Sequence, residues 1–305
     1  MSKDKVSAII VGDIHYRDDQ PRCRLDDFWK TQKRKALWLR ELWEDYGRPL
    51  VLQPGDVFHR WKSSPQVISA VLEYLPPMVT VPGNHDLPNH SMELYHKSAL
   101  AVVSKIVVGW AVLHELVHRA FPINDNKAVV VRPLPWGVEP IKYQYDTIHG
   151  KVALAHITVI DGDSKFDGWG AMDLLWKLEG YDLVVTGDNH KPIWVTDKQG
   201  RHLINPGSFT RQSADENHSP AVYLWWAEYN RLEEVQVPIE EGVITREHLA
   251  TKEERDERLE AFVESLTAGV EVTVKFRDNV LARLAAETNL RPAVVERIRE
   301  ALGDE

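Results

Sequence analysis

The sequence has little of what holds a secreted or membrane-embedded protein together. Its 305 residues contain one cysteine, Cys23, which excludes an internal disulfide and a zinc site built on several thiolates. Chains without disulfides are typical of reducing compartments, so we expect a cytoplasmic protein. The longest nearly apolar stretch, residues 98–113, contains Lys105 and is shorter than the roughly 20 residues that span a bilayer. The first residues lack the apolar run of a signal peptide, and we expect no membrane partner.

Positive charge is also scarce. The chain has 37 Lys and Arg against 46 Asp and Glu, a net charge of −9 that argues at first against nucleic acid as a partner. Six of these nine net charges lie in residues 239–305. The shift in composition predicts two domains, a nearly neutral one over residues 1–238 and an acidic appendage over residues 239–305. In the appendage, the residue pattern predicts a helix over 251–266, a strand over 270–276 and a helical pair over 280–302.

The first domain alternates apolar strand-like runs with helical stretches, which predicts an α/β layered fold. Strands are predicted over residues 7–11, 49–53, 78–81, 152–155 and 182–186, and helices over 28–43 and 64–75. A metal-capable side chain stands at or just beyond the end of each strand. Because ligands gather beyond the carboxyl ends of strands in α/β sheets, we expect these side chains to meet. They are Asp13, His15, Asp56, Asn84, His85, His156, Asp188 and His190.

The chemistry of this set is that of a divalent metal site. Oxygen and imidazole ligands without thiolates suit Mn²⁺, Fe²⁺, Zn²⁺ or Mg²⁺. Eight such groups exceed the needs of one ion, so two ions that share a carboxylate are expected. A pair of metal ions suits in-line displacement at phosphorus. A single Asp or His after a strand is usually a turn or cap residue, and only the joint pattern indicates a metal centre.

Five ordered motifs, GDIH (12–15), GDVFH (55–59), GNHD (83–86), AHI (155–157) and GDNH (187–190), resemble those of the calcineurin-like metallophosphoesterases. The resemblance covers residues 6–226. It implies a β-sandwich flanked by helices, with a two-metal centre at one end. The implied ligands of the first metal are Asp13, His15, Asp56 and His190. Those of the second are Asp56, Asn84, His156 and Asp188, so that Asp56 is the bridge. The resemblance further implies that His85 contacts the scissile phosphate and assists the leaving group, with Asp86 orienting its imidazole.

Asp188 departs from the family pattern, which has Gly-His-x-His where this chain has Gly187-Asp188-Asn189-His190. A carboxylate makes the second site harder and favours Mn²⁺ or Mg²⁺ over Zn²⁺. The alternative is that the shorter side chain fails to reach, leaving a weak second site. We expect a retained ligand and Mn²⁺ as the preferred ion.

Within the family, residues 55–68 (GDVFHRWKSSPQVI), 81–88 (VPGNHDLP) and 204–212 (INPGSFTRQ) resemble the Mre11/SbcD DNA nucleases. With GDNHKP (187–192) they look most like compact members from phage and bacterial genomes. This resemblance implies exonuclease or endonuclease activity on DNA, as in DNA repair, with an ATPase partner of the Rad50/SbcC type and a homodimer. Two alternatives remain open: a phosphodiesterase or phosphatase acting on a small molecule or phosphoprotein, and a non-catalytic interaction module.

A nuclease needs positive charge beside its metals, because DNA binds through its phosphates. Candidate DNA contacts follow the motifs: Arg17, Arg60, Lys62, Lys191 and Arg211. Trp29, Trp61, Trp136 and Trp169 also lie near motifs, where packing is the ordinary role of tryptophan and stacking on a base the alternative. Residues 114–118 (HELVH) fit the zinc-protease pattern, which requires a helix that this partly strand-like run does not predict.

Overall fold

The computed structural model describes residues 5–106, 109–124, 127–143, 150–162, 167–214, 216, 218–247 and 296. The chain divides into two compact units, Met1–Thr245 and Arg246–Glu305. The helices and strand expected over residues 251–302 fall almost wholly outside the described residues. The domain boundary expected after residue 238 and the acidic appendage therefore stay predictions. The backbone N–H of Thr245 donates to the carbonyl of Cys23 at 2.8 Å, which ties the end of the first unit to its start.

The first unit contains two six-stranded sheets. The first sheet comprises β1 (Ala8–Ile10), β2 (Leu50–Gln53), β3 (Val79–Thr80), β4 (Ala111–Val112), β13 (Ala221–Trp226) and β14 (Arg231–Gln236), in the order β14-β13-β1-β2-β3-β4. Strands β1 to β4 are parallel, while β13 pairs antiparallel with both β1 and β14. Ile10 lies opposite Leu52 on one side and Tyr223 on the other. Strand β1 is thus central and fully buried.

The second sheet comprises β5 (Arg119–Asn124), β6 (Lys127–Leu134), β7 (Gly150–Ala155), β10 (Leu183–Thr186), β11 (Ile193–Thr196) and β12 (His202–Asn205), in the order β11-β12-β10-β7-β6-β5. Its four inner strands are parallel, and an antiparallel strand borders each edge. A separate short pair consists of β8 (Val159–Ile160) and β9 (Trp169–Gly170). Parallel inner strands end on the same side of the sheet, where their loops can share a site.

The two sheets face each other across a common hydrophobic core, in which Ile10, Leu52 and Trp225 meet Leu154 and Val185. Helices cover the outer faces because each sheet must bury its second apolar side. Helices α1 (Phe28–Asp45), α2 (Pro65–Tyr74) and α3 (Ala99–Ile106) lie on the first sheet, and α4 (Ala171–Lys177) lies on the second. The expected α/β fold, a sandwich flanked by helices, is confirmed.

The strand ends expected from the sequence lie within two residues of those observed. Helix α2 begins where the residues predict, with Ser64 as N-cap accepting from the N–H of Val67 and Pro65 in the first turn. Residues 114–118 form no helix, so the zinc-protease pattern there has no structural basis. Among the described residues, no helix is long and apolar enough to cross a membrane.

Candidate metal centre

Strand ends from both sheets meet at one edge of the sandwich. In the first sheet, Asp13 and His15 follow β1, Asp56 follows β2, and Asn84 with His85 follows β3. In the second, His156 follows β7, and Asp188 with His190 follows β10. The loops contact one another directly: the backbone N–H of Asp188 donates to Oδ2 of Asp13 at 2.8 Å. The structure therefore brings together all eight side chains expected at the metal centre.

One group of ligand atoms comprises Asp13, His15 and His190, whose candidate ligand atoms all lie within 4.8 Å of one another. Nε2 of His15 is 3.0 Å from Nε2 of His190, and Nε2 of His190 is 3.9 Å from Oδ2 of Asp13. Oδ2 of Asp56 lies 3.4 Å from Nε2 of His15. These four residues form the first cluster.

A second cluster surrounds Nε2 of His156. Oδ1 of Asn84 lies 3.0 Å from this nitrogen, Oδ2 of Asp56 3.5 Å and Oδ1 of Asp188 3.8 Å. The other carboxylate oxygen of Asp188 accepts a hydrogen bond from the Thr158 hydroxyl, which points its Oδ1 toward the cluster. Oδ2 of Asp56 thus lies near the histidines of both clusters, and Oδ1 of Asp188 lies near that of the second. That Asp56 bridges two ions and that Asp188 is a ligand stay predictions.

The hydrogen bonds behind the imidazoles fix which nitrogen faces the clusters. Nδ1 of His156 donates to the carbonyl of Pro54 at 2.8 Å, and Nδ1 of His190 donates to Oε1 of Glu216 at 2.9 Å. In the neutral rings, the lone pair of each Nε2 therefore faces carboxylate or amide oxygens. Acceptors that converge in this way fit divalent cations, and histidine ligands usually donate their second nitrogen to such partners.

Backbone conformation and close packing bring the carboxylates to the clusters. His15, Asp56 and Asp188 have positive φ angles of 47°, 56° and 72°, a region that non-glycine residues adopt mainly under local constraint. A Cβ at Gly83 would lie 2.2 Å from Oδ1 of Asp56, and one at Gly187 would lie 2.6 Å from Oδ1 of Asp13. Only glycine leaves room for the carboxylates at these two positions.

Burial dominates the electrostatics of Asp13 and His15. It raises the pKa of Asp13 to about 7, against the opposing charge of His156. It also holds the pKa of His15 well below the usual range. Among the described residues, the buried Oδ1 of Asp13 has no hydrogen-bond partner. Such an oxygen is costly unless a cation or proton compensates it.

Neighbouring carboxylates outweigh burial at two other histidines. Burial lowers the pKa of His156, but the charge of Asp56 raises it overall to about 10. Burial likewise lowers the pKa of His190, but the hydrogen bond to Glu216 and the charge of Asp13 raise it to about 9. Burial raises the pKa of Asp56, yet the charges of His156 and His15 bring it well below the usual range. Protons therefore compete with cations for these two imidazoles.

His85 lies beside the clusters. Its backbone N–H donates to Oδ1 of Asp56 at 2.9 Å. Its ring packs edge-on against that of His15, with the two ring centroids 4.7 Å apart. Nδ1 of His85 donates to the carbonyl of His59 at 2.9 Å. This fixes the ring and leaves Nε2 for a substrate.

The role expected for Asp86 is wrong in this structure, because the His59 carbonyl orients the imidazole of His85. The carboxylate of Asp86 instead accepts from the backbone N–H groups of Asp56 at 2.8 Å, Gly83 at 3.1 Å and Phe58 at 3.1 Å. It is fully buried and fastens the second motif to the third. Asp86 supports the shape of the site without contacting the imidazole.

The sequence did not predict two residues that orient imidazoles of the site, His59 and Glu216. His59 stands inside the GDVFH motif, so its place near the site was visible although its carbonyl contact was not. Glu216 is 3% exposed, and its carboxylate accepts from Nδ1 of His190, from the Ser208 hydroxyl at 2.7 Å and from the N–H of Gln212 at 2.9 Å. No motif marked it.

Four of the five expected DNA contacts line two clefts. Arg17, Arg60 and Lys62 line a cleft of about 400 Å³ together with His59. Lys191 lines a cleft of about 480 Å³ together with Asp188 and His190.

The two arginines of the first cleft already have a carboxylate partner. Arg17 donates to Asp19 at 2.8 Å, and Nη2 of Arg60 lies 3.5 Å from the same carboxylate. Arg211 is half-buried, and its carbonyl accepts from Arg24 at 3.3 Å. The structure thus brings three of the five cations to one side of the metal centre.

Comparison with known proteins gives one family and several distant structural likenesses. Residues 7–192 match the family model described as calcineurin-like phosphoesterase. No curated protein matches the chain. The protein TT1561 of Thermus thermophilus is 13% identical, with 76% of this chain and 100% of that chain covered and a TM-score of 0.48. A dimetal phosphatase from Danio rerio is 11% identical, with 78% and 100% covered and a TM-score of 0.49. A metallophosphoesterase from Sphaerobacter thermophilus is 14% identical, with 77% and 89% covered and a TM-score of 0.37.

Proposed function

The chain belongs to the calcineurin-like phosphoesterase family, and we propose that it is a two-metal phosphodiesterase that cleaves DNA, similar to the Mre11/SbcD nucleases. Members of this family are metal-dependent phosphoester hydrolases and typically bind two divalent ions. The observation that carries the proposal is the position of Asp56, whose Oδ2 lies 3.4 Å from His15 and 3.5 Å from His156. One carboxylate oxygen between two clusters of acceptors supports a pair of bridged cations.

The residues that would hold the ions divide as the two clusters do. Asp13, His15, Asp56 and His190 would hold the first, and Asp56, Asn84, His156 and Asp188 the second. Bound divalent ions would neutralise phosphate charge and lower the pKa of a coordinated water. The Asp188 carboxylate replaces an imidazole with a harder oxygen ligand, which supports Mn²⁺ as the preferred ion.

His85 is suited to the protonation step. The His59 carbonyl accepts the Nδ1 proton of His85, so only the imidazolium form carries a second proton, on Nε2, that can be delivered to the site. As the water oxygen forms its bond to phosphorus, the bond from phosphorus to the leaving oxygen breaks. His85 then gives the Nε2 proton to that leaving oxygen, and the water releases its own proton to solvent.

The cleft with Arg17, Arg60 and Lys62 supports a nucleic-acid substrate. It reaches the metal centre through His59, whose ring stacks on that of His85 with centroids 5.4 Å apart. Cations in such a cleft could contact phosphates of a strand that continues away from the scissile bond.

Three substrates test the proposal. Wild-type protein with Mn²⁺ is incubated with end-labelled single- and double-stranded DNA, with bis(p-nitrophenyl) phosphate and with p-nitrophenyl phosphate. We expect degradation of DNA and hydrolysis of the diester above the monoester. Hydrolysis of the small esters without DNA degradation would point to a small-molecule or phosphoprotein substrate. A protein that hydrolyses none of the substrates and also binds no metal would point to an interaction module.

A pair of histidine variants tests the assigned acid. His85→Ala should retain both metals and lose DNA cleavage at least about a hundredfold, as removal of a general acid does. His96→Ala, on an exposed segment, is the matched control and should cleave as wild type does. Equal activity in the two variants would reject the role of His85.

A further inference from the structure

A groove of about 710 Å³ begins at the metal centre, on the side of His156. Two half-buried tryptophans, Trp136 and Trp169, line it, and the ring of Trp136 lies 6.0 Å from that of His156 in an edge-to-face arrangement. The volume falls within the range of about 300–1,000 Å³ that small-molecule sites occupy. A large aromatic groove therefore adjoins a predicted metal ligand.

Both tryptophans are tied to loops that carry metal ligands. The backbone N–H of Trp136 donates to the carbonyl of Pro82 at 3.0 Å, two residues before Asn84. That of Trp169 donates to the carbonyl of Thr158 at 3.0 Å, and the Thr158 hydroxyl donates to Asp188. Backbone hydrogen bonds thus hold both tryptophans next to the segments that carry the second cluster.

The charge of the groove differs from that of the cleft on the other side. Among the residues that the structure describes, its charged lining apart from the proposed metal ligand His156 consists of Glu139, Asp167 and Asp173, all exposed and all acidic. The rest of the lining includes the apolar side chains of Ile157 and Pro140. Carboxylates repel phosphate, so this lining suits an uncharged planar group better than a second phosphate.

We infer that this groove binds a nucleobase of the substrate beside the scissile phosphate, stacked on Trp136 or Trp169. The inference rests on the proposed cleavage of DNA and adds which part of the substrate lies where. A phosphodiester has two substituents on its scissile phosphate. The strand of further phosphates leaves through the cleft of Arg17, Arg60 and Lys62, while the base of the other nucleotide enters the groove.

Equilibrium binding separates the base from the phosphate. Titration calorimetry with the full chain in Mn²⁺ compares deoxyadenosine 3′-monophosphate, deoxyadenosine 5′-monophosphate and inorganic phosphate. Stacking of one base on an aromatic side chain contributes roughly 5- to 150-fold in affinity. We expect wild type to bind at least one of the two nucleotides at least about fivefold more tightly than phosphate.

Replacement of each indole tests the assignment. In at least one of the variants Trp136→Leu and Trp169→Leu, the preference for nucleotide over inorganic phosphate should fall below about twofold. The affinity for inorganic phosphate should stay unchanged. Trp136→Phe keeps an aromatic face and should retain part of the nucleotide preference. This variant distinguishes the loss of stacking from a loss of packing in Trp136→Leu. Trp176→Leu, a 60% exposed residue of α4 outside the groove lining, is the control and should keep the full preference.

Two results would overturn the inference: no nucleotide preference in wild type, or equal weakening of phosphate and nucleotide in the leucine variants. DNA cleavage by the same wild-type preparation is measured separately. Cleavage without a nucleotide preference rejects the base groove alone. Tight binding of a nucleotide without cleavage of any diester rejects the proposed function alone.

Discussion

At the scale of single residues, the buried carboxylate of Glu216 supports the metal centre from outside the five motifs. It accepts from Nδ1 of His190 at 2.9 Å, which fixes the ring and makes Nε2 a better ligand. We predict that Glu216→Gln weakens Mn²⁺ binding about 10- to 100-fold, the usual effect of losing such a partner. Titration calorimetry with Mn²⁺ measures it.

The control for this variant is Glu228→Gln, on an exposed residue that pairs with Lys127 at 2.7 Å. The substitution removes one negative charge at a position that is distant along the chain from every predicted ligand, and it should leave Mn²⁺ affinity unchanged. Equal affinities in the two variants would mean that Glu216 does not support the His190 imidazole.

We propose that the carboxylate of Asp188 sets the preference between Mn²⁺ and Zn²⁺. Its Oδ1 lies 3.8 Å from Nε2 of His156, among the acceptors of the second cluster. We predict that Asp188→His raises the affinity for Zn²⁺ relative to Mn²⁺ about tenfold, because imidazole is a softer ligand than carboxylate. Competition between the two ions, read by metal analysis after dialysis, gives the ratio, and a ratio equal to that of wild type would contradict the prediction.

The sequence predicted the metal-binding side chains better than it predicted their partners. His15, Asp56 and His190 follow strands in recognisable motifs, so their convergence could be expected. Asp86 and Glu216 act through hydrogen bonds to groups that only the folded backbone brings near, 28 residues away at Phe58 and 26 at His190. No local pattern encodes such contacts.

At the scale of elements, the loops after β2 and β3 depend on glycine. A Cβ at Gly83 would lie 2.2 Å from Oδ1 and 2.5 Å from the backbone nitrogen of Asp56. We predict that Gly83→Ala displaces Asp56 and loses at least one of two bound metals, measured by metal analysis of the purified variant.

Gly200→Ala is the control for a general cost of removing glycine. Its φ of 77° disfavours alanine, but no atom of the residues that the structure describes lies within 4 Å of the added Cβ. This variant should lose some thermal stability and keep its full metal content. A Gly83→Ala protein with both metals would show that the loop tolerates the added methyl.

The sequence predicted some strands and not others, and burial alone does not explain the difference, because the fully buried inner strand β13 was not predicted. Strands β1 and β10 are buried along their whole length and read as continuous apolar runs, as inner parallel strands do. The edge strands β11 and β14 mix buried and exposed positions and contain Thr, Glu and Arg, so no clear run marked them. Strands β5, β6 and β12 were likewise not predicted.

At the scale of the whole molecule, the metal centre joins the two sheets. Asp13 and Asp56 follow strands of the first sheet, while His156 and His190 follow strands of the second. We predict that Mn²⁺ at about 100 times its Kd stabilises the folded chain by about 2.7 kcal/mol and raises Tm by roughly 5–10 °C. Thermal melts with Mn²⁺ and with chelator measure the shift, and identical melts would contradict it.

This stabilisation should depend on pH. His156 and His190 have pKa values raised to about 10 and about 9, and that of Asp13 is raised to about 7. Each must lose its proton to bind a cation, so binding releases protons and Mn²⁺ affinity falls as pH decreases. The Tm gain should be larger at pH 8 than at pH 6, and the reverse order would contradict the assignment of these ligands.

The net charge of −9 does not oppose DNA binding by the first unit. Four of the nine net negative charges lie in the second unit, residues 246–305, and the carboxylates of Asp13, Asp56 and Asp188 in the first unit would be offset by bound cations. The ATPase partner and the homodimer implied by the nuclease resemblance remain proposals, as does a cytoplasmic location.

The bridging position of Asp56 is the centre of this account, and anomalous diffraction tests it most directly. Crystals of the full chain grown with Mn²⁺ are measured at the manganese absorption edge. We predict two anomalous peaks, both within coordination distance of the Asp56 carboxylate, one beside His15 and His190 and the other beside His156 and Asp188. A single peak, or two peaks of which only one contacts Asp56, would contradict the two-metal centre.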